Sequence, residues 1–404
     1  KVTSVIPIPK LPKSFMSRFL GHLPHMMKLA KDNKASLAMG LFLSFPGYYK
    51  ETQSHTFKVR IGNVDTIVTR DKDFFSEIFG AKQADFDNTN TFNIVFGHFF
   101  PHSLITVRGE QWQKIRKIVT KAINNTSFDM IIPSIIRNVS YALKENSQGS
   151  CLANELTSID MTSRIIFDGF HCMVYNWDPE TLKFNPESSE LLSSLNTLGV
   201  AVGERFLMPY PILWKIPTKK NKKYAKAWRI TRSFIEKFLS EQKEKFQNQK
   251  EEILLMKKRS LLQEMLIANE SEDESKRLTN DELIDQVATL SFAGYDTTSN
   301  VTCICLNFLA RNMSVQDHLR SIIIEAFPNG EEDILQAGIE GIEKISYLSH
   351  FVNEVHRICP LTFISRDCIR DTEINGYPIK KGEEVMIDNN GIGQREDFWN
   401  NMKD

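Results

Sequence analysis

An excess of charge of one sign is missing from this chain: 50 Lys and Arg balance 50 Asp and Glu across 404 residues. With no net field, attraction to nucleic acid or to an anionic surface must come from a local patch, and a nucleic-acid role is disfavoured. Long apolar runs are missing too. The best of them, Ala38 to Phe45, stops at Pro46, far short of the roughly 18 residues that cross a bilayer, so no membrane span is expected. Cysteine is scarce: Cys151, Cys172, Cys303, Cys305, Cys359 and Cys368 show no Cys-x-x-Cys and no zinc pattern, which leaves reduced thiols as the simplest state and no metal set among the residues. Hydrophobic content of 41% with 25% charged residues excludes long disorder and rod-like coiled coils and allows a large core. The length suits two or three domains of about 150 residues, or one large helical domain.

The pattern that is present is mostly helical. From about residue 110 to 350 the apolar residues recur at three and four, as in Ile115, Ile118, Val119, Ala122 and Ile123, and strand-like alternation is scarce. Phe57, Val59 and Ile61 alternate with polar residues up to Gly62-Asn63, and Val64 to Val68 follows, the pattern of a hairpin with a two-residue turn. A second sheet signal comes late, where Asn375-Gly376 separates Asp371–Ile374 from Tyr377–Ile379 and Lys381-Gly382 precedes Val385–Ile387. The fold class expected is therefore mainly α with small accessory β-sheets, without the βαβ alternation of a doubly wound sheet.

Two charged tracts have ordinary explanations. Glu241 to Lys258, with Ser271 to Ser275 after it, reads as a solvated helix and loop. Lys215, Lys219, Lys220, Lys222, Lys223, Lys226 and Arg229 follow the apolar Phe206 to Trp214; this suits a segment dipping into an anionic membrane surface, or equally a loop feeding an exposed helix.

Thr279-x-x-Glu282 is a capping box, and Leu283, Ile284, Val287, Leu290 and Val301 continue one long helix to about Asn312. At its middle stands Ala293-Gly294-Tyr295-Asp296-Thr297-Thr298, where glycine costs about 1 kcal/mol relative to alanine. Such local weakness fits a kinked helix contact. It also fits a close approach by a planar cofactor or a diatomic ligand, with the carboxylate and hydroxyl passing protons. Two further elements stand in order around it. In Gly109 to Arg116, Trp112 and Arg116 present an indole donor and a guanidinium fork on one helix face, suited to a carboxylate. In Glu354-Val355-His356-Arg357 the outer pair shares a helix face.

Trp-x-x-x-Arg, then Ala-Gly-x-Asp-Thr-Thr, then Glu-x-x-Arg followed by Pro360 and a hairpin, closely resemble the cytochrome P450 superfamily of haem-thiolate monooxygenases over nearly the whole chain. The resemblance implies one P450-like domain across residues 1–404, and a cofactor, haem. It makes Asp296 and Thr297 the proton-delivery pair that helps split bound dioxygen, with Ala293 and Gly294 lining the oxygen groove. It gives Trp112 and Arg116 a haem propionate, and Arg366 another. Glu354 and Arg357 become a buried structural pair, whose disruption would strand a charge at roughly 3–5 kcal/mol. Implied partners are O2, a lipophilic small-molecule substrate, an electron-supplying reductase and a membrane surface, with the endoplasmic reticulum membrane as the location. Substrate contacts are expected from Phe92 to Ile105, Phe206 to Trp214, the region of Phe292, and Leu361 to Ile364, all mostly apolar.

The sequence departs from the family at one place. The axial ligand is expected in Phe-x-x-Gly-x-Arg-x-Cys-x-Gly, which is absent, and Arg395-Glu396-Asp397 stands where Arg-Asp-Pro is usual. The expectation is a chain truncated before the cysteine loop and after an N-terminal anchor, with the missing cysteine encoded downstream of Asp404. Cys359-Pro360 reads as packing, and Cys303 and Cys305, two apart on a helix, as core. The alternatives are a haem-thiolate lyase or isomerase, which the Asp296-Thr297 pair disfavours, and a non-catalytic fragment or pseudoenzyme lacking the thiolate.

Overall fold

The computed structural model describes residues 6–10, 17–34, 37–61, 64–147, 157–206, 210–273, 277–361 and 364–399. The chain forms two compact units, one from Lys1–His98, Val200–Ile216 and Arg357–Asp404, the other from Phe99–Gly199 and Pro217–His356.

The first unit holds the strands. Strands β1 (Thr56–Ile61) and β2 (Val64–Thr69) pair antiparallel with Ile61 opposite Val64, as their alternation requires; the Gly62-Asn63 turn itself lies outside the described residues. Strands β3 (Phe86–Asn88), β4 (Ile364–Cys368) and β7 (Glu384–Ile387) join them in the order β1-β2-β7-β4-β3. Two sheets are present, as expected, but the late strands divide between them: β7 joins the early hairpin, because β2 pairs parallel with β7 (Thr66 opposite Glu384, Thr69 opposite Ile387). A pairing over some three hundred residues leaves no trace in local periodicity. Only β5 (Thr372–Ile374) and β6 (Tyr377–Ile379) stand apart as a hairpin. Asn375 and Gly376 both take positive φ in its turn, 49° and 80°, the conformation that Asn-Gly favours.

Both sheet faces are covered, so successive side chains bury in opposite directions. Phe57, Val59, Val68 and Met386 meet Leu23, Met26, Phe45, Tyr48 and Tyr49 from the helices Leu23–Asp32 and Leu37–Thr52 on one side. Ile67, Val385, Ile387 and Cys368 meet Phe74 and Ile78 of the helix Lys72–Phe79, together with Ile374 and Ile379 of the hairpin, on the other.

The second unit is helical. The long helix Asn280–Arg311 packs most extensively against the helix Ser158–Tyr175, which in turn packs on Ile131–Ser147. Both long partners open with capping boxes, Thr157 with Asp160 and Thr279 with Glu282, each satisfying two N–H groups that a helix start leaves unpaired. The helix Gly109–Asn125 buries Ile115, Ile118, Val119 and Ala122, while Ile123 points outward. The mixed-charge run lies on the helices Lys219–Asn248 and Lys250–Leu255. Among the described residues no helix is long and apolar enough to cross a membrane.

One carboxylate in the sheet is paired with hydroxyls rather than a cation. Glu384 lies opposite Thr66 and Asp367, with the Thr66 hydroxyl donating to Oε2 at 3.3 Å. Burial pushes its pKa up to about 7 against the bonds from Ser365 and Thr66. The folded state therefore favours the protonated acid. That contribution is complete below the ordinary glutamate pKa near 4.5 and is lost as pH rises through about 7. Unfolding in urea between pH 5 and 8 is expected to show falling stability, and Glu384→Gln to remove much of the fall, on the order of 3 kcal/mol. Parallel wild-type and variant profiles would show that Glu384 is not the group responsible.

Candidate functional site

The long helix begins inside the protein. Glu282 through Thr289 are buried on every side, so its polar members need partners. The Glu282 carboxylate accepts from Thr279 N at 2.8 Å, from Lys114 Nζ at 2.8 Å and from Gln111 Nε2 at 3.0 Å. Burial alone would raise its pKa, but these donors outweigh it and hold the carboxylate below its ordinary range. Asp285 accepts from His102 N at 2.7 Å. Gln286 accepts from Leu104 N and donates to the His102 carbonyl, both at 2.8 Å. The segment between Phe99 and Ile105 is thus pinned to the helix by side chains that hydrophobic periodicity does not single out.

At the sequence-predicted turn the helix opens on one side. Tyr295 and Ser299 are buried, Asp296 is half-buried, and Ala293, Thr297 and Asn300 are exposed; these last three lie at i, i+4 and i+7 and share a face. The Thr297 hydroxyl donates to the Ala293 carbonyl at 2.8 Å, and Thr298 to the Gly294 carbonyl at 2.7 Å. Asn300 donates to the Asp296 carboxylate at 3.3 Å and to its backbone carbonyl at 2.7 Å. Burial raises the Asp296 pKa, the Asn300 bond opposing it. Gly294 faces inward: the ring of Phe170 occupies the place a side chain would need. The neighbouring Tyr295 hydroxyl donates to Asn196 Oδ1 at 2.7 Å.

Trp112 and Arg116 occupy the outer face of the helix Gly109–Asn125, opposite Ile115 and Val119. Trp112 is 38% exposed and the Arg116 guanidinium stands 5.9 Å from its ring. Neither has a carboxylate partner among the described residues, so the indole N–H and the fork remain available to an anion. Their helix is joined to the first turn of the long helix through Lys114 and Glu282. Asp296 lies 14 residues further on, about 21 Å along the helix axis.

Arg357 and Arg366 belong to the other unit. Arg366, on β4 opposite Asn88 and Val385, lies over the Phe79 ring at 5.1 Å and donates to the Ser365 carbonyl at 2.8 Å. Burial lowers its pKa, with Asp87 opposing. Arg357, one turn after Glu354 on the helix Ser346–Ile358, donates to the Gly393 carbonyl and lies over Trp399 at 5.1 Å. A Cβ at Gly393 would meet the Arg357 carbonyl oxygen at 2.1 Å, so only glycine allows that approach.

The predicted substrate segments meet within each unit. Phe92 stacks on Phe96 at 4.4 Å, with Phe206 5.7 and 5.8 Å from the two rings. His98 packs on Trp214 at 5.4 Å, and burial, with Arg205 nearby, pushes its pKa down to about 4. In the other unit Phe100 meets Trp228 at 5.3 Å and Phe292 at 6.2 Å. Residues 207–209 and 362–363 of these segments lie outside the described residues.

Arg116 and Trp112 in one unit, and Arg366 in the other, each present donors of the kind that suits a propionate. Burial pushes the thiols of Cys172, Cys305 and Cys368 up, away from the thiolate, and the Cys368 thiol donates to the Arg370 carbonyl at 2.9 Å. No described cluster of three or more His, Cys, Asp or Glu could hold a metal ion. Of the side chains that the sequence reading missed, Asn300 was legible from its i+4 spacing to Asp296. Lys114, Phe170 and Asn196 act across long sequence separations and were not.

A protein-family model described as Cytochrome P450 matches residues 30–403. Cytochrome P450 monooxygenase 205 of Postia placenta is 25% identical over 342 residues, covering 75% of this chain and 60% of that protein. Cytochrome P450 94A1 of Vicia sativa is 22% identical over 344 residues, 82% of this chain and 63% of its own. Cytochrome P450 3A29 of Sus scrofa is 25% identical over 308 residues, 74% and 58% respectively. The chain spans about six-tenths of the length of these curated relatives.

The Glu282 network yields a direct test. Lys114→Met leaves a buried carboxylate short of its charged donor, and a loss of about 1–3 kcal/mol is expected in urea unfolding at pH 7. Because the folded-state pKa is depressed, the wild-type contribution is present above the ordinary glutamate value and fades as pH falls below it. The gap between variant and wild type should therefore narrow towards pH 4, and a gap that is constant with pH would show that charge is not its origin.

Proposed function

The chain belongs to the cytochrome P450 family, and from that premise we propose that the whole protein is a haem-dependent monooxygenase inserting one oxygen atom of O2 into a lipophilic small molecule, with electrons from a reductase. The observation that carries this reading is the open helix turn. It sets a half-buried carboxyl with raised proton affinity next to a threonine hydroxyl, on a side of the helix that the small, exposed Ala293 leaves open.

Bound haem would supply the iron on which dioxygen is activated. Trp112 and Arg116 would hold a haem propionate through the indole N–H and the guanidinium fork, the latter with no described carboxylate to answer its charge. The family resemblance gives Arg366 a propionate as well, beside the partial answer that Asp87 makes to its charge. Burial favours the protonated form of Asp296, so this group can keep a proton available nearer neutral pH than a solvated aspartate would. Asn300 restrains its carboxyl. Thr297 donates to the Ala293 carbonyl; turning about χ1 gives up that single bond and frees the hydroxyl to donate outward while accepting from a neighbour. A hydroxyl that both accepts and donates passes a proton on without bearing charge itself. Gly294 serves the same turn from its packed side.

A lipophilic substrate agrees with the aromatic group Phe92, Phe96 and Phe206 and with Phe100 and Phe292. Association with a membrane surface, at the endoplasmic reticulum, agrees with Ile212, 75% exposed, and Ile216 next to the lysines that begin the helix Lys219–Asn248.

In the full-length, haem-loaded protein, Thr297→Ala is expected to divert reducing equivalents from product to peroxide while substrate KM stays near the wild-type value. An unchanged ratio of product to reductant consumed would remove Thr297 from the proton path. Independently, Arg116→Ala should speed transfer of haem to an apoprotein acceptor by roughly tenfold or more, as expected for losing a hydrogen bond between charged groups. Wild-type haem retention in that variant would take Arg116 out of the propionate site.

A further inference from the structure

At Gly294 the long helix lies directly against a ring of its main partner, Phe170. A Cβ built there would stand 2.1 Å from Cε2 and Cζ of Phe170 and 2.8 Å from Cε1, so the far edge of the ring already fills the volume any larger residue would use. Gly199, on the helix Pro186–Phe206, faces the long helix with more room, since a Cβ there would meet Phe292 at 3.4 Å, an ordinary contact.

The backbone that carries Phe170 is anchored on both sides. A Cβ at Gly169 would meet Ile135 Cδ1 at 2.6 Å, so the helix Ser158–Tyr175 lies hard against Ile131–Ser147. Asp168 accepts from Thr181 N and from its hydroxyl at 2.7 Å. His171 is fully buried, with its Nδ1 at 2.8 Å from the Phe167 carbonyl, and the Tyr175 hydroxyl donates to the Val287 carbonyl at 2.8 Å. Across the turn, Phe167 stands edge-on to Tyr295 at 5.2 Å, and the Tyr295 hydroxyl is held by Asn196. Residues 294 and 295 are gripped, then, while 293, 297 and 300 stand open.

We propose that Phe170 is a positioning residue: its ring is the stop that sets how closely the Ala293–Thr298 turn approaches the helix Ser158–Tyr175, and so where Asp296 and Thr297 stand on the open face. The catalytic part of this inference rests on the monooxygenase reading; the packing part does not. A displacement of about 1 Å at a reacting group can cost a hundredfold in rate, and an added methyl at residue 294 requires a shift of that order by the ring or by the turn.

The test is a compensating pair in the full-length, haem-loaded protein: Gly294→Ala, Phe170→Leu and the two together. Leucine lacks the Cε and Cζ atoms that crowd residue 294. Amide hydrogen exchange at Tyr295–Thr298 reads the position of the turn without reference to activity, while the ratio of product to reductant and the substrate KM read its consequence. Gly294→Ala should speed exchange there by roughly tenfold and lower the product ratio with KM unchanged, and adding Phe170→Leu should restore both. A double variant no better than Gly294→Ala overturns the proposal. So does a Gly294→Ala protein that matches the wild type. Restored exchange without restored coupling overturns the positioning role while leaving the monooxygenase reading intact; that reading fails instead if Thr297→Ala leaves coupling unchanged. Should Gly294→Ala not fold, Phe170→Leu alone must speed exchange at Tyr295–Thr298 but not in the helix Leu261–Ala268, and equal protection at both sites overturns the proposal.

Discussion

The buried carboxylate of Glu282 fixes where the long helix begins, and the open turn depends on that start. It closes the capping box, receives Lys114 and Gln111, and so sets the register of the helix Gly109–Asn125 against the first turn of Asn280–Arg311. A slip of one residue would rotate the helix by about 100°. Ala293, Thr297 and Asn300 would then turn into the packed side and Tyr295 out of it. The position of the turn is therefore decided some four helical turns away, by one acid and the three donors that keep it ionised.

The helix also changes character along its length. Its first eight core positions are buried all round, which is tolerable only because Asp285 and Gln286 are answered by backbone groups of the segment His102–Leu104. From Ala293 onward the burial becomes one-sided. A polar pair placed before that boundary would need to be fully satisfied by protein and could not exchange partners. A pair placed well beyond it would be ordinary solvated surface. Asp296 and Thr297 sit at the boundary, buried enough for the carboxyl to hold its proton more tightly and open enough for the hydroxyl to turn outward.

Much of this was legible in the sequence wherever the physics is local. The Thr279/Glu282 capping box, the Asn375-Gly376 turn with its two positive φ values, and the shared outer face of Trp112 and Arg116 follow from short-range backbone and helix geometry. The parallel pairing of β2 with β7 was not legible, because only the closed sheet brings Thr66 beside Glu384. Nor was the contact between Phe170 and Gly294. From the sequence alone, glycine in the turn fits a kink, an oxygen groove or a helix contact equally, and only the ring placed against it shows that packing occupies its inner side. The family motifs identified the residues of the turn; they could not say which neighbours press upon them.

The cationic side chains complete the physical account. Arg366 is half-buried, rests on Phe79 and spends one donor on the adjacent backbone carbonyl, while burial disfavours its charge. Arg116 and Trp112 expose donors with no described carboxylate to receive them. Burying part of a guanidinium costs free energy, which the attraction of Asp87 on the neighbouring strand returns only in part. An apolar residue on the Phe79 ring would avoid that cost. On the proposed monooxygenase reading, a partly desolvated fork with spare donors is suited to a planar, bidentate anion such as a propionate, which would neutralise its charge as a water molecule cannot.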